Sequence, residues 1–134
     1  MNKNKLKVIC IIPARGGSKG IKLKNIQQVN KKPLIYYPIS AAIKSQVCDK
    51  IFVSTDSPVI ARYGKKYGAE VPFLRKKKYS GDYITTETTL KNALKSYEIY
   101  YKTKFDICVF LTCTNIFRNY KNIKIAVERL KKNK

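Results

Sequence analysis

The sequence predicts an α/β fold with a doubly wound, mostly parallel sheet, because short apolar runs alternate with amphipathic segments of helical spacing. Four apolar runs have the length of strands, at residues 7–12, 50–54, 69–74 and 106–111. Each of these runs is followed by a polar or cationic loop. In a doubly wound sheet, ligands bind at the carboxyl ends of the strands. We therefore expect the function of the chain to lie in the four loops that follow these strands.

The segments between the strands carry the signals of helices. The predicted helices begin near Pro33, Asp56 or Ser57, Thr85 or Thr86, and Tyr120. Pro33 is placed in the first turn of a helix that runs to about Ser45, because the fixed φ of proline suits that position. Gly68 is expected to end the second helix. The stripes expected to face the sheet are Leu90, Ala93, Leu94, Tyr97 and Tyr101 in the third helix, and Ile123, Val127 and Leu130 in the fourth.

Length and charge restrict the classes of function. A chain of 134 residues forms one domain. Its 29 Lys and Arg against 8 Asp and Glu give a net charge of +21, which is high enough to suit a nucleic-acid binder. However, the cations are nearly all lysines spread along the chain, as in a compositionally biased sequence, and no basic motif is interleaved with aromatic residues. A nucleic-acid partner is therefore not favoured, and the charge favours a polyanionic substrate.

The cysteines indicate a reducing compartment. Cys10, Cys48, Cys108 and Cys113 form no C-x-x-C pair and the chain has no histidine, so a zinc site is not expected. Cys10 and Cys108 lie in apolar strands and are predicted to be buried, reduced thiols. No apolar run reaches membrane-spanning length, and the N-terminus lacks the apolar core of a signal peptide. These observations predict a cytoplasmic protein without a membrane partner.

The loop after the first strand has the composition of a phosphate site. Residues 13–25 contain the glycines Gly16, Gly17 and Gly20, the cations Arg15, Lys19, Lys22 and Lys24, and the hydroxyl donor Ser18. Glycines let backbone N–H groups approach anionic oxygens, and the cations supply the opposite charge. The loop is neither a Walker A sequence nor G-x-G-x-x-G, because no Gly-Lys-Ser/Thr closes it and Gly16 and Gly17 are adjacent. It predicts a site for a triphosphate or a phosphosugar.

The motif Pro-Ala-Arg-Gly-Gly-Ser-Lys-Gly-Ile at residues 13–21, followed by Lys24 and Asn25, resembles the opening of the acylneuraminate cytidylyltransferases. This family comprises the CMP-sialic acid synthetases and their relatives that act on other nonulosonic acids. Segments at residues 33–35, 51–56 and 71–75 agree with the family in order and spacing. The resemblance implies a Rossmann-like fold of the nucleotide-diphospho-sugar transferase type. Residues 1–134 would form a single, incomplete domain that matches the N-terminal part of the family's catalytic domain.

The resemblance implies that CTP reacts with a nonulosonic (sialic-type) acid, an acidic nine-carbon sugar, to give a CMP-sugar and pyrophosphate. Positioning and charge neutralisation carry such reactions, and Mg²⁺ is the implied cofactor. The family match assigns catalytic roles to Arg15 and Lys19. It assigns nucleotide binding to Arg15, Gly16, Gly17, Ser18, Lys19, Lys24, Asn25 and Arg75. It assigns sugar contacts to Thr112, Thr114 and Arg118, although Thr112 replaces a glutamine of the family and two prolines of that segment are absent.

Two of the candidate residues have an alternative interpretation. Arg75 matches a family arginine that approaches the nucleotide, but it also begins a basic run through residue 78 that would be solvated. Asp56 ends a strand, which suits a metal ligand, but a helix N-cap is the favoured interpretation. Asp82 and Glu87 are acids near the same edge, and neither is assigned a role.

The later strands, metal-binding aspartates and dimerisation segment of the family have no counterpart in this chain. The resemblance therefore predicts no metal ligand among these residues, and it allows a homodimer or a complementing second chain as partner. We expect the chain alone to turn over CTP poorly or not at all. The alternative function is a catalytically inactive nucleotide-binding fragment, or a partner of a complete enzyme.

Overall fold

The computed structural model describes residues 5–18, 21–76, 85–113 and 119–133, with Ser18, Ile21 and Lys22 described by their backbone alone. The strands in these ranges are β1 (Val8–Pro13), β2 (Gly17–Ser18), β3 (Ile21–Lys22), β4 (Gln28–Val29), β5 (Lys32–Pro33), β6 (Lys50–Ser54) and β7 (Ile107–Phe110). The helices are α1 (Tyr36–Ser45), α2 (Pro58–Lys66), α3 (Thr86–Tyr101) and α4 (Tyr120–Lys132). None of these helices combines the length and the apolarity needed to cross a membrane.

A parallel sheet with the order β6-β1-β7 forms the centre of the fold. β1 pairs with β6 from Ile9 opposite Lys50, and with β7 from Val8 opposite Ile107. The five apolar residues at 8–12 are completely buried, as expected of a central strand covered on both faces. The predicted parallel sheet is therefore confirmed, and the first strand of the sequence is its middle strand.

Alternating side chains of β1 build two cores, one on each face of the sheet. Cys10 and Ile12 pack in a cluster with residues of α1, α2 and α4, which include Ile39, Ile60 and Ile123. Ile9 and Ile11 pack on the opposite face against Phe52 of β6 and Ala93 and Tyr97 of α3. Because helices cover both faces of a parallel sheet, the doubly wound arrangement is confirmed.

The first helix begins three residues later than the sequence predicts. Pro33 belongs to β5, which pairs antiparallel with β4, and α1 starts at Tyr36. The N–H of Leu34 donates to the Gln27 carbonyl at 2.9 Å, and the N–H of Ile35 donates to the Asn25 carbonyl at 2.8 Å. These bonds to the preceding turn fix the backbone of residues 34 and 35, so the helix begins only after them.

The predicted third strand is reduced to a single bridge. Glu70 pairs parallel with Phe52, with hydrogen bonds from the Glu70 N–H to the Ile51 carbonyl and from the Val53 N–H to the Glu70 carbonyl. Pro72 follows two residues later and has no N–H to continue the ladder. The prediction of a strand over residues 69–74 is therefore wrong, although the segment runs beside β6 as expected.

β7 is an edge strand of the described sheet. Ile107 is buried against Val127 of α4, but Cys108 is exposed. The core cluster on the α3 face is built from described residues of β1, β6, α3 and their neighbours, and β7 contributes none to it. The thiol of Cys108 is therefore not the buried group that the apolar run predicts, whereas Cys10 is buried as expected.

Helices α3 and α4 bury most of their predicted stripes. Ile123 and Val127 are buried, and α4 packs against α1 and β7. Leu130 in the last turn of α4 is 51% exposed and Tyr101 at the end of α3 is 42% exposed. The inward assignment of these two residues is wrong, because each lies in the last turn of its helix, beyond the residues that meet the sheet.

Candidate functional site

The loop after β1 folds into a small hairpin at the carboxyl end of the sheet. The Ala14 N–H donates to the Ser54 carbonyl at 2.9 Å and so extends the pairing of β1 with β6 by one residue. Gly17 then pairs antiparallel with Lys22, and the Leu23 N–H donates to the Gly16 carbonyl at 2.7 Å. The described parts of the glycine-rich loop, β2 and β3, thus pair with each other at the edge where the sequence predicts a phosphate site.

The two adjacent glycines of this hairpin have different surroundings. A Cβ on Gly16 would lie 3.0 Å from the Cβ of Ser57 and 3.4 Å from Oδ1 of Asp56. A Cβ on Gly17 would meet no atom of the described residues within 4 Å. A larger residue at position 16 would therefore require the segment after β6 to shift, whereas Gly17 borders open space.

Asp56 holds the loop. Its Oδ1 accepts a hydrogen bond from the N–H of Gly16 at 2.7 Å, and the carboxylate is half-buried. The cap of α2 is Ser57, whose hydroxyl accepts from the Ile60 N–H at 3.2 Å, with Pro58 in the first turn. The favoured interpretation of Asp56 as the N-cap is therefore wrong. The serine next to it supplies the cap, which leaves the carboxylate to bind the backbone of the neighbouring loop.

Asn25 braces the loop from the other side. It lies in a short 3₁₀ turn over Lys24–Ile26, entered through a left-handed Leu23 with φ of 53°. Its side-chain amide donates to the carbonyl of Arg15 at 3.1 Å. Lys24 and Asn25 are both half-buried at the base of the hairpin. The described contact of the Asn25 amide is thus with the protein backbone, and it fixes the peptide group that follows Arg15.

Arg75 reaches the same edge from the segment that follows the single bridge. Its Nη2 donates to the Ser54 carbonyl at 2.8 Å, and its backbone N–H donates to the Thr55 carbonyl at 2.7 Å. Arg75 is half-buried, whereas Lys76 is exposed. The interpretation of Arg75 as one member of a solvated basic run is therefore wrong.

Three charged groups interact at this edge. Burial lowers the pKa of the Arg75 guanidinium, the negative charge of Asp56 opposes that shift, and the positive charge of Arg15 adds to it. The Ser54 carbonyl accepts from both Ala14 and Arg75, so the arginine is tied to the residue that precedes Arg15. An anion that arrived between the two arginines would relieve their mutual repulsion.

The remaining candidates divide into two groups. Thr112 is half-buried directly after Leu111, whose N–H donates to the Ile11 carbonyl at 3.2 Å, so it stands at the carboxyl edge of β7. Glu87 is exposed and forms an ion pair with Lys91 at 2.8 Å on α3. The candidates Lys19, Gly20, Asp82, Thr114 and Arg118 lie outside the described residues.

The described part of the edge does not by itself fit Mg²⁺. Within the described ranges, no three side chains of Asp, Glu, His or Cys lie close enough to hold a metal ion. Among the described residues, Asp56 is a carboxylate at this edge, and its Oδ1 accepts from the Gly16 N–H. The chemistry that the described residues can supply is therefore that of backbone donors and fixed cations.

Two contacts of the site depend on the order of the strands in the sheet, which the sequence alone does not give. Asp56 and the Ser54 carbonyl act on the Gly16 loop because β6 lies next to β1. The sequence signal for the Asp56 contact is the position of Asp56 two residues after the end of a strand. The glycine loop also follows the end of a strand, so both lie at the same edge of the sheet. That position indicates a neighbour of the loop as much as it indicates a cap.

A comparison with protein families decides the relationship. The cytidylyltransferase family model matches residues 9–134. The chain belongs to the cytidylyltransferase family. The match begins inside β1 and includes the hairpin, Asp56, Arg75 and the loop after β7, so every part of the described edge lies within the residues that the family shares.

Curated relatives of this cytidylyltransferase-family chain carry names of nonulosonic acid enzymes. A pseudaminic acid cytidylyltransferase of Campylobacter jejuni is 46% identical over 90 residues, which are 67% of this chain and 39% of that protein. A CMP-N,N'-diacetyllegionaminic acid synthase of Legionella pneumophila is 37% identical over 126 residues, 92% of this chain and 53% of that protein. An N-acylneuraminate cytidylyltransferase of Streptococcus agalactiae is 42% identical over 125 residues, 92% of this chain and 29% of that protein. The resemblance to the acylneuraminate cytidylyltransferases is thereby confirmed.

Solved structures agree on the fold. A CMP:2-keto-3-deoxy-manno-octonic acid synthetase complexed with CTP superposes with a TM-score of 0.73 at 19% identity, covering 94% of this chain and 48% of that one. A cytidylyltransferase from Leptospira borgpetersenii gives a TM-score of 0.68 at 20% identity, covering 93% of this chain and 49% of that one. The Rossmann-like fold is confirmed. The chain spans about half the length, or less, of the relatives that it matches.

Proposed function

We propose that the chain supplies the CTP-binding part of a nucleotidyltransferase that transfers CMP from CTP to a nonulosonic acid and releases pyrophosphate. Family membership supports the reaction class. The observation that carries the proposal is the shared acceptor at Ser54, whose carbonyl oxygen binds both the Ala14 N–H and the Arg75 guanidinium. That bond holds the Arg75 guanidinium beside the loop that carries Arg15.

Such an arrangement suits a triphosphate. In-line attack of a sugar hydroxyl on the α-phosphorus needs donors and positive charge fixed where negative charge accumulates. We assign that role to Arg15, Lys19 and the backbone of Gly17 and Ser18. Gly16 would shape the nucleotide-binding loop rather than donate to the phosphates, because its N–H donates to Asp56. Arg75, Lys24 and Asn25 would act on the nucleoside side of the same edge, where Asn25 also fixes the Arg15 carbonyl. Because Gly16, Asn25 and Arg75 are held by hydrogen bonds to their neighbours, little reorganisation of these three residues is required when CTP binds.

We also propose the contacts of the sugar acceptor, the cellular compartment, the partner and the cofactor. Thr112 stands at the carboxyl edge of β7, and together with Thr114 and Arg118 it is our proposed contact for the sugar acid. The names of the matched relatives include pseudaminic, legionaminic and neuraminic acid substrates. We propose a cytoplasmic protein, since none of the four cysteines, all of which are described, forms a disulfide. A second copy or a complementing chain is the proposed partner, and Mg²⁺ the proposed cofactor.

Calorimetry with the purified chain tests the nucleotide site. CTP and inorganic triphosphate are titrated separately at one fixed, low salt concentration. CTP should bind more tightly than triphosphate if the edge also contacts the nucleoside, and the absence of CTP binding would refute the proposal.

Pyrophosphate release tests the chemistry. The chain is incubated with CTP, Mg²⁺ and either N-acetylneuraminate or pseudaminate, and pyrophosphate is measured. Release that depends on the sugar acid supports the transferase. CTP binding without release would instead favour the nucleotide-binding partner as the function of this chain.

A further inference from the structure

The carboxylate of Asp56 is an unexpected group at a site for a polyanion. It lies beside the hairpin that carries Arg15, and its negative charge would repel the phosphates of CTP. It does not cap α2, because the adjacent Ser57 does so. A carboxylate in this place must therefore contribute something that offsets its repulsion of the ligand.

The contacts of Gly16 show what that contribution is. The N–H of Gly16 donates to Oδ1 of Asp56 at 2.7 Å, and its carbonyl accepts from the Leu23 N–H at 2.7 Å. Both polar groups of this residue are thus bonded, one to each side of the hairpin. The next residue, Gly17, borders open space and is exposed.

We propose that Asp56 is a positioning residue that fixes the Gly16 peptide, so that the backbone of Gly17 faces the space that the triphosphate would occupy. This inference rests on the proposed function. The hydrogen bond from the loop to the carboxylate favours CTP binding by more than the negative charge of the carboxylate disfavours it. The sheet order is consistent with this role, because β6 pairs with β1 and Asp56, which follows β6, therefore lies beside the loop that follows β1.

Two substitutions with the same change of charge separate position from electrostatics. Asp56→Ala removes both the charge and the acceptor, whereas Asp56→Asn removes the charge and keeps an oxygen acceptor. Charge alone predicts that both variants bind CTP more tightly than the parent. Positioning predicts that Asp56→Asn binds CTP at least as tightly as the parent. It predicts that Asp56→Ala binds about five- to tenfold more weakly than Asp56→Asn, the effect of one lost hydrogen bond.

Asp49 offers a matched control, because it directly precedes β6, whereas Asp56 follows the other end of that strand. Its Oδ2 accepts from the Val8 N–H at 2.7 Å, so Asp49→Ala loses the same kind of bond far from the site edge. It should lower the thermal midpoint but leave the affinity for CTP unchanged. If Asp49→Ala weakens CTP binding as much as Asp56→Ala does, the effect is general destabilisation and the proposal is overturned.

Hydrogen exchange of the ligand-free protein tests the inference independently of CTP binding. Asp56→Ala should speed amide exchange at Gly16 and its neighbours, while the amides of β7 keep the exchange rates of the parent. Unchanged exchange at Gly16, or equal CTP affinity of Asp56→Ala and Asp56→Asn, overturns the positioning role. A parent that binds no CTP but shows the faster exchange in Asp56→Ala would overturn the proposed function and leave Asp56 as the residue that orders the loop.

Discussion

Single residues set the shape of the edge, and the two neighbouring glycines do so in opposite ways. Gly16 lies so close to the segment after β6 that a Cβ would be 3.0 Å from the Cβ of Ser57, and its N–H donates to Asp56. Gly17 has room for a side chain on the protein side. Packing therefore does not require a glycine in that position. We expect the glycine to leave space for a ligand instead.

Alanine substitutions at these glycines should separate folding from binding. Gly16→Ala should destabilise the fold by about 1–3 kcal/mol, because its methyl group overlaps the Cβ of Ser57. Gly17→Ala should change the free energy of unfolding by less than about 0.5 kcal/mol but weaken CTP binding, because its methyl group occupies ligand space. Thermal unfolding and calorimetry on both variants provide the measurements. A stable Gly16→Ala, or a Gly17→Ala with unchanged CTP affinity, would contradict the assignment.

Lys19 should be needed for CTP binding. Lys19→Ala removes a charge-assisted contact with the triphosphate, which corresponds to roughly 1.5–3 kcal/mol, or tenfold and more in the dissociation constant. The matched control is Lys65→Ala in the last turn of α2, which is exposed and removes the same charge at the end of the helix farther from the site. Equal CTP affinities of the two variants in calorimetry would show that only the net charge of the chain matters.

Among the elements, α3 packs on the sheet through a cluster in which Tyr97 is the largest side chain of the helix. Tyr97 is 1% exposed, packs against Phe52 and donates its hydroxyl to Oε1 of Glu70 at 2.7 Å. Glu70 is also the residue of the single bridge to β6. The hydroxyl of Tyr97 thus joins a helix on one face of the sheet to the segment that leads to Arg75.

This contact predicts a loss of stability at alkaline pH. Burial, followed by the hydrogen bond and the charge of Glu70, raises the pKa of Tyr97 above its ordinary value of 10.0. The folded chain therefore retains a proton that the unfolded chain releases above pH of about 10, and the free energy of unfolding falls as the pH rises through that range. Denaturant unfolding from neutral to alkaline pH should show this slope in the parent and a smaller slope in Tyr97→Phe.

The same variant should be less stable at neutral pH. Tyr97→Phe removes the donor to Oε1 of Glu70, whose Oε2 still accepts from the Tyr101 hydroxyl at 3.4 Å, and should cost about 1–2 kcal/mol. Tyr120→Phe, at an exposed tyrosine of α4, is the control and should remain within about 0.5 kcal/mol of the parent at neutral pH. If Tyr97→Phe has the same alkaline slope as the parent, the hydroxyl of Tyr97 is not the group that titrates.

At the scale of the whole molecule, the open side of β7 and the net charge oppose each other. β7 is the edge of the described sheet, with Cys108 exposed, and an edge strand of this kind pairs readily with another chain. The charge of +21 keeps copies apart as long as it is not screened. The balance between the two therefore depends on salt.

Self-association should increase with ionic strength. Between low salt and physiological salt, where the Debye length falls to about 8 Å, the repulsion is screened and light scattering should report larger species. Cys108→Lys, studied in reducing buffer, should suppress this increase because a charge on the edge opposes pairing. Asn122→Lys on the exposed face of α4 adds the same charge elsewhere and should not suppress it. A monomer at every salt concentration would show that the edge is protected.

The sequence predicts those parts of the fold that depend on local pattern. The buried run of β1, the Ser57–Pro58 start of α2 and the Thr85 cap of α3 can all be read from neighbouring residues. The late start of α1 cannot, because it depends on bonds from residues 34 and 35 back to the preceding turn. The role of Asp56 and the exposure of Cys108 depend on which strands are neighbours, and that order is a property of the assembled sheet.

The position of β1 at the centre of the sheet also fixes the order in which the protein can fold. β1 leaves the ribosome before both of its partners, and β6 follows soon enough to pair with it and to bring Asp56 to the glycine loop. The second edge of β1 is paired only later, because the partner of Val8 is Ile107, much farther along the chain. Closing so long a loop is the slow and entropically costly step in forming the sheet. The contact between the glycine loop and Asp56 can thus form early in synthesis, while the strand at the centre of the core remains half-paired until β7 has been made.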